Sequence, residues 1–297
     1  LLKKYKIAAL FILPLLISGC RRESNYIKAS EYYHSLRPTR ALILLENSTI
    51  PKEIYLQAEI YFNLNDPRRA LKSFDKLLDI DPQWKTKVLK RLLQEGNDAS
   101  KKRKDFTAVM IYSKILEFEP DFDLREKNIL MGNWFFDSRE YERSIDFYIK
   151  GIKYDPKNAN LRLKLAQCYI NINDLVSAYD VLKEATKELT DWRETSNWRL
   201  TYWLGKISFK LAEQRLKEGN YDSAELYLKE LISLGTPEVL IDDAYFLLGD
   251  IKLSQEKYEE AVDCYNKVLD LNKFAKPKIR REAEEALQII KNMEEKP

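Results

Sequence analysis

Residue types able to do covalent or metal chemistry are few in this chain, and they are badly spaced for it. His34 is the single histidine, so neither a histidine-based triad nor a multi-histidine metal site can be assembled. It stands beside Tyr32 and Tyr33 and is expected to be a surface or groove residue, not a base. The cysteines are Cys20, Cys168 and Cys264. The last two lie nearly 100 residues apart on apolar helical stripes and are expected to be buried small hydrophobes, not a bridge. Carboxylate pairs such as Glu259-Glu260 and Glu284-Glu285 leave paired-carboxylate hydrolysis formally open, but their helical setting makes them solvated faces. Trp192, Trp198 and Trp203 are expected to pack core and edges and not to form a sugar platform. There is no Gly-rich phosphate loop, metal-spaced Cys pair or nucleophile elbow. No catalytic residue, metal site or cofactor is expected.

The cysteine with a chemical future is Cys20. Lys3, Lys4 and Lys6 open the chain, Ile7 to Ile17 is uncharged and almost wholly apolar, and Ser18 and Gly19 follow. A cationic start, a short apolar run and small residues make a secretory signal, too short and Pro14-interrupted for a spanning helix of roughly 20 residues. Ile17-Ser18-Gly19-Cys20 resembles the lipobox of bacterial lipoproteins. That resemblance implies a signal peptide over 1–19, lipidation at Cys20 and a short tether over 20–23. Arg21 lacks the Asp that retains lipoproteins at the inner membrane of enteric bacteria, so the resemblance implies the periplasmic face of the outer membrane if the source has two membranes.

The nominal charge of +3 belongs to the signal: without Lys3, Lys4 and Lys6 there remain 47 basic and 47 acidic residues. A neutral chain of interspersed charge is a poor nucleic-acid binder. Its densest basic run, Lys101-Lys102-Arg103-Lys104, reads as a solvated loop. Eight Gly, 33% charged residues and abundant Leu, Ile, Lys and Glu indicate an all-helical protein.

A period runs through the remainder. Pro82, Pro120 and Pro156 are 38 and 36 residues apart. Twelve positions before each stand Ala70, Ala108 and Ser144, a series continued by Ala178, Ala224 and Ala261. Twelve positions earlier again lie Ala58, Gly96, Gly132, Ala166, Ala212 and Gly249, and four after the anchors lie Phe74, Tyr112, Tyr148, Leu182, Leu228 and Tyr265. Ala29 and Ala41, with Tyr32 between them and Leu45 after, form a shortened first copy. Each unit reads as two antiparallel helices: a small residue on the first lets the second approach, and a larger one on the second fills the space beside it. Stacked copies make one continuous core.

The stretch AYFLLGDIKLSQEKYEEAVDCYNKVLDLN, with Tyr245, Leu248, Gly249, Tyr258, Ala261 and Tyr265, resembles the tetratricopeptide repeat (TPR) family. So does EIYLQAEIYFNLNDPRRALKSFDKLLDIDP, with Ala58, Tyr61, Ala70, Phe74 and Pro82. The resemblance implies an all-α, TPR-type α-solenoid, a right-handed superhelix of six to seven helix-turn-helix repeats. The expected bounds are 24–50, 51–84, 89–122, 125–158, 159–192, 198–238 and 242–275, with a capping helix over 276–297. Lys252 and Arg215 stand where the family has an aromatic, and the copy opening WRLTYWLGKISFKLAEQRLKEGNY is expected to have an over-long first helix.

In this family the first helices line a concave groove, which implies a protein or peptide partner there. One column on them, Glu59, Asn97, Asn133, Gln167, Glu213 and Asp250, can accept hydrogen bonds throughout. A second supplies Phe62, Phe136 and Ile170, with Asn63 and Asn171 beside two of them. These apolar residues suit a recognition groove or packing between helices equally. The family's clamp for a C-terminal carboxylate is not reproduced, since Ile129 stands where its first Lys would be. The expectation is a non-catalytic, lipid-anchored scaffold in a bacterial envelope. An accessory subunit or enzyme of cell-wall metabolism is the alternative, and self-association through the groove remains open.

Overall fold

The computed structural model describes residues 25–188, 197–271 and 276–294. The signal, the tether with Cys20 and Trp192 lie outside the described residues. All regular structure among those described is helical. The chain divides into two compact units, Leu1–Leu124 and Arg125–Pro297.

The first unit holds three hairpins. They are α1 (25–34) with α2 (Pro38–Leu45), α3 (Pro51–Asn63) with α4 (Pro67–Ile80), and α5 (Lys85–Lys101) with α6 (Asp105–Phe118). The second holds α7 (Lys127–Asp137) with α8 (Tyr141–Ile152), α9 (Ala159–Asn171) with α10 (Leu175–Glu188), α11 (Asn197–Lys217) with α12 (Tyr221–Leu234), and α13 (Ile241–Ser254) with α14 (Tyr258–Asp270). A final helix, α15 (Pro277–Glu294), packs on α14 and α13. In the second unit α8 also packs on α9, α10 on α11, and α12 on α13, so each pair buries its apolar side against the next.

Close approach decides which residues sit at each crossing. A methyl added to Gly96, Gly132 or Gly249 would lie 2.6 Å from a ring carbon of Tyr112, Tyr148 or Tyr265 respectively. Three of the remaining hairpins carry Ala58, Ala166 and Ala212, with Phe74, Leu182 and Leu228 at the corresponding places, all fully buried. A tyrosine flat against the first helix therefore requires glycine, while Phe or Leu goes with alanine. Ser144 takes the second small position of the fourth hairpin; it is buried and donates from Oγ to the carbonyl oxygen of Gly132 at 2.9 Å.

The turns repeat as faithfully as the crossings. Seven residues after each small position comes a residue at positive φ: Leu36, Asn65, Arg103, Arg139, Asn173, Gly219 and Glu256. The next amide donates five residues back, as from Asp66 N to Tyr61 O at 2.9 Å and from Glu140 N to Phe135 O at 2.8 Å. This closes the first helix in the manner usually given to glycine. Only one of the seven is glycine, so the left-handed residue is imposed by the packing of the pair, at a cost of roughly 1 kcal/mol each. Asp66, Asp174 and Asn220 then cap the second helix through their side chains. The shortened first copy has the same turn, with Leu36 at positive φ seven residues after Ala29.

Two features depart from the repeat. α11 has 21 residues against 14 in α12, and the loop after α12 folds onto it. A methyl on Gly205 would stand 1.9 Å from the carbonyl oxygen of Thr236, so only glycine admits that backbone. The second is Lys252, 5% exposed, which takes the family's aromatic position with an ion triad. Its Nζ lies 2.8 Å from Glu225 on α12 and 2.9 Å from Glu260 on α14. Burial opposes ionisation of both Lys252 and Glu225. The hydrogen bonds between them, and that from Lys229 to Glu225, outweigh it, raising the lysine and lowering the carboxyl below 4.5. Cys168 is buried and Cys264 half-buried, both free; Cys168 Sγ lies 3.4 Å from Ser144 Oγ.

Two outcomes follow from these contacts. Gly132→Ala is expected to destabilise the chain by about 1–2 kcal/mol, because overpacking exceeds the gain in helix propensity. Adding Tyr148→Leu should make the same alanine neutral or favourable, which a double-mutant cycle in urea would show. Glu225→Gln is expected to cost roughly 2–3 kcal/mol at pH 7 by stranding part of the charge on buried Lys252. A carboxylate depressed in the folded state stabilises above its unfolded pKa and loses that contribution as pH falls through the lower folded value. The gap between wild type and Glu225→Gln should thus shrink below about pH 4.5, as melting curves at stepped pH would measure.

Candidate partner-binding surface

The column of hydrogen-bond acceptors on the first helices splits in two along the same line as the crossings. Where the pair is glycine with tyrosine, the acceptor is short and engaged. Tyr112 Oη donates to Asn97 Oδ1 at 2.9 Å, Tyr148 Oη to Asn133 Oδ1 at 3.0 Å, and Tyr265 Oη to Asp250 Oδ1 at 2.8 Å. Burial pushes the Tyr148 and Tyr265 phenols upward, with Asp250 adding to the effect on Tyr265, so both remain donors. Lys164 Nζ donates to the same oxygen of Asn133 at 2.6 Å. Where the pair uses alanine, the acceptor is longer: Glu59, Gln167 and Glu213. Glu59 accepts from Arg91 Nε at 2.6 Å.

The accompanying column lies mostly inside. Phe62 is buried, 6.0 Å from the Phe74 ring centroid, with the Arg91 guanidinium 5.7 Å from its own. Phe136 is half-buried against Tyr141 and Tyr148, and Ile170 packs on the core between α9 and α11. Asn63 and Asn171 are exposed, donating to the carbonyl oxygens of Glu59 at 2.9 Å and Gln167 at 2.7 Å. Asn63 also donates to Tyr33 Oη. The expected residues are therefore brought together within each unit, but several are already occupied. Glu59, Phe62, Asn63 and Asn97 belong to the first unit; Asn133, Phe136, Gln167, Ile170, Asn171, Glu213 and Asp250 belong to the second.

Solvent reaches part of this set and further polar residues on two adjacent first helices. On α9 these are exposed Asn160 and Asn171 and half-buried Gln167, with half-buried Lys164 given over to Asn133; on α11, at the matching places, they are exposed Lys210, Glu213 and Lys217 and half-buried Lys206. The two helices touch. Buried Leu200, Leu204, Ile207 and Leu211 occupy the other side of α11. The lysines fall outside the two columns followed in the sequence; the same register, taken two and six residues before each small position and five after it, finds them. In the first unit, a small cleft of about 80 Å³ is lined by Glu95, Asp98, Lys102 and Lys104 among others, and Lys104 donates to Asn65 at 2.8 Å. Its charges offset one another, as a solvated loop's would. Among the described residues no three His, Cys, Asp or Glu are grouped to hold a metal ion.

Repeating helix pairs with small residues at each crossing define an interaction solenoid of the helical-repeat class. Models of the tetratricopeptide repeat match residues 54–83, 135–197 and 242–274. The chain is a tetratricopeptide-repeat protein, a class whose fold serves as a scaffold for protein–protein interaction. Several solved structures are similar. MamA has 21% identity over 60% of this chain and 94% of its own, TM-score 0.33. A TPR repeats protein from Bacteroides fragilis has 18% identity over 69% and 98%, TM-score 0.46. The C-terminal part of a TPR repeat-containing protein from Cytophaga hutchinsonii has 15% identity over 88% and 99%, TM-score 0.37. No curated protein matches the chain.

The engaged acceptors can be told from the open ones by energetics. Tyr112→Phe and Asn97→Ala should each cost about 1 kcal/mol, and the double variant no more than either alone, since both remove one bond. Glu213→Ala, on the open face, should change stability by less than about 0.5 kcal/mol. Urea unfolding of the four proteins would check this.

Proposed function

We propose that the chain is a lipid-anchored adaptor of a bacterial envelope, held through Cys20 on the periplasmic side, that grips a partner protein along its first helices without catalysing a reaction. The observation that carries the partner-binding half is the open, hydrogen-bonding face of α9 and α11, where Gln167, Asn171 and Glu213 leave polar groups unspent. A ladder of amides and charges along adjacent first helices can bind backbone or side chains of a partner. The anchoring half rests on the run from Lys3 to Cys20. Only about four residues separate Cys20 from the first described helix, a reach of at most ~15 Å, and Arg21 and Arg22 suit anionic headgroups. Among the described residues no helix is long and apolar enough to cross a membrane. If the source has two membranes, the outer one is the favoured site.

A photocrosslinker placed at Gln167 in living cells should yield discrete adducts that the same probe at Lys150, exposed on α8, does not. Equal capture from both positions would remove the groove from consideration. For the anchor, palmitate labelling and membrane fractionation should both be lost in Cys20→Ser; labelling that persists would refute attachment at that residue.

A further inference from the structure

The open face of α11 differs from an ordinary solvated helix in length, sign and composition. Helical geometry puts Arg199, Tyr202, Lys206, Lys210, Glu213 and Lys217 on one side, away from the buried leucines, with half-buried Trp203 at its edge packed against the core. Four cations thus confront a single carboxylate along about 27 Å of helix. None of the four forms an ion pair among the described residues; Lys206 Nζ rests 4.9 Å from the centre of the Trp203 ring. The stripe begins on the extra turns, where Trp198 is 61% exposed and crosses Tyr202 nearly edge-on at 6.2 Å. Tyr202 in turn meets Trp203 at 6.3 Å and 84°.

The neighbouring helix complements this stripe. At the positions matching Lys206, Lys210, Glu213 and Lys217, α9 carries Asn160, Lys164, Gln167 and Asn171, with no acid among them. The acids in the same columns of α13 are taken: Asp243 by Lys276 and Asp250 by Tyr265. One ladder offers amides for a peptide backbone and the next offers cations for side chains. Lys206 and Lys210 stand about 6 Å apart along the axis, close to the ~6.8 Å between same-side residues of an extended chain.

We propose that the joint face of α9 and α11 binds an acidic peptide segment. Its carboxylates meet Lys206, Lys210 and Lys217, and an aromatic or proline side chain near one end seats against Trp198 and Tyr202. A chain terminus would need converging cations; a linear row spaced over several turns fits repeated acids within a segment. This rests on the partner-binding reading above and adds to it the partner's chemistry and the place it occupies.

The test uses the full chain in detergent micelles and three fluorescein-labelled octapeptides: Glu-Phe-Glu-Pro-Glu-Phe-Glu-Pro, its Gln counterpart and its Lys counterpart. Anisotropy should report saturable binding of the Glu peptide alone, at least tenfold weaker in K206E/K210E and in 0.5 M salt, and weaker in W198A. K278E/R281E on α15 should leave it unchanged. Thermal melts by circular dichroism confirm folding, and K206Q/K210Q repeats the comparison if the reversal unfolds. Equal binding of the Glu and Gln peptides would overturn the acidic partner while sparing the groove, which crosslinking from Gln167 decides separately. Failure of every peptide would overturn it too, as would a charge-dependent affinity confined to vesicles of phosphatidylcholine with 30% phosphatidylglycerol, which would make the stripe a membrane contact.

Discussion

The distance between the two helices of a pair governs this molecule. Gly96, Gly132 and Gly249 leave no room for a methyl beside the tyrosines that face them, and this contact fixes how deeply each second helix seats. Once a tyrosine lies flat across the first helix, its hydroxyl emerges beside the next residue. A short acceptor there, Asn97, Asn133 or Asp250, completes the hydrogen bond. Where alanine widens the crossing, the ring gives way to Phe or Leu, no hydroxyl needs a partner, and the neighbouring residue lengthens to Glu or Gln. Crossing residue, ring and acceptor are one unit of three, and the unit comes in two versions.

The same crossing sets the turn. A first helix stopped five residues past its small position must reverse at once if the second helix is to return to that contact, and a single left-handed residue two positions on accomplishes the reversal. Arg103, Arg139 and Glu256 take up that conformation although their side chains disfavour it. Packing of two helices outweighs a local cost of about 1 kcal/mol.

Departures from the repeat mark where the chain does something of its own. The extra turns of α11 carry the aromatic row at the head of the basic stripe, and just after them Gly205 lies beneath the Thr236 loop. Lys252 shows that an interface position can be filled by charge when two carboxylates stand on the helices either side. Both lie in the second unit, where the open amide and cation ladders also lie.

Helix pairing, the number of hairpins, the over-long sixth first helix and the family were legible in the sequence, because small residues recurring with large ones at fixed offsets leave a covalent record of who touches whom. The lipid-anchor reading likewise needs only local order of charge, apolar length and Cys20. What the sequence could not determine was which side chains of a polar column remain free. Asn133 and Gln167 look alike in one dimension, yet the first is held by Tyr148 and Lys164 while the second keeps its side-chain amide open. Nor did Phe62 announce that it would be buried beneath Arg91, or Leu36 and Arg139 that they would turn left-handed. Occupancy and backbone sign depend on contacts between residues distant along the chain or on the angle of a crossing, and those quantities exist only once the helices are packed.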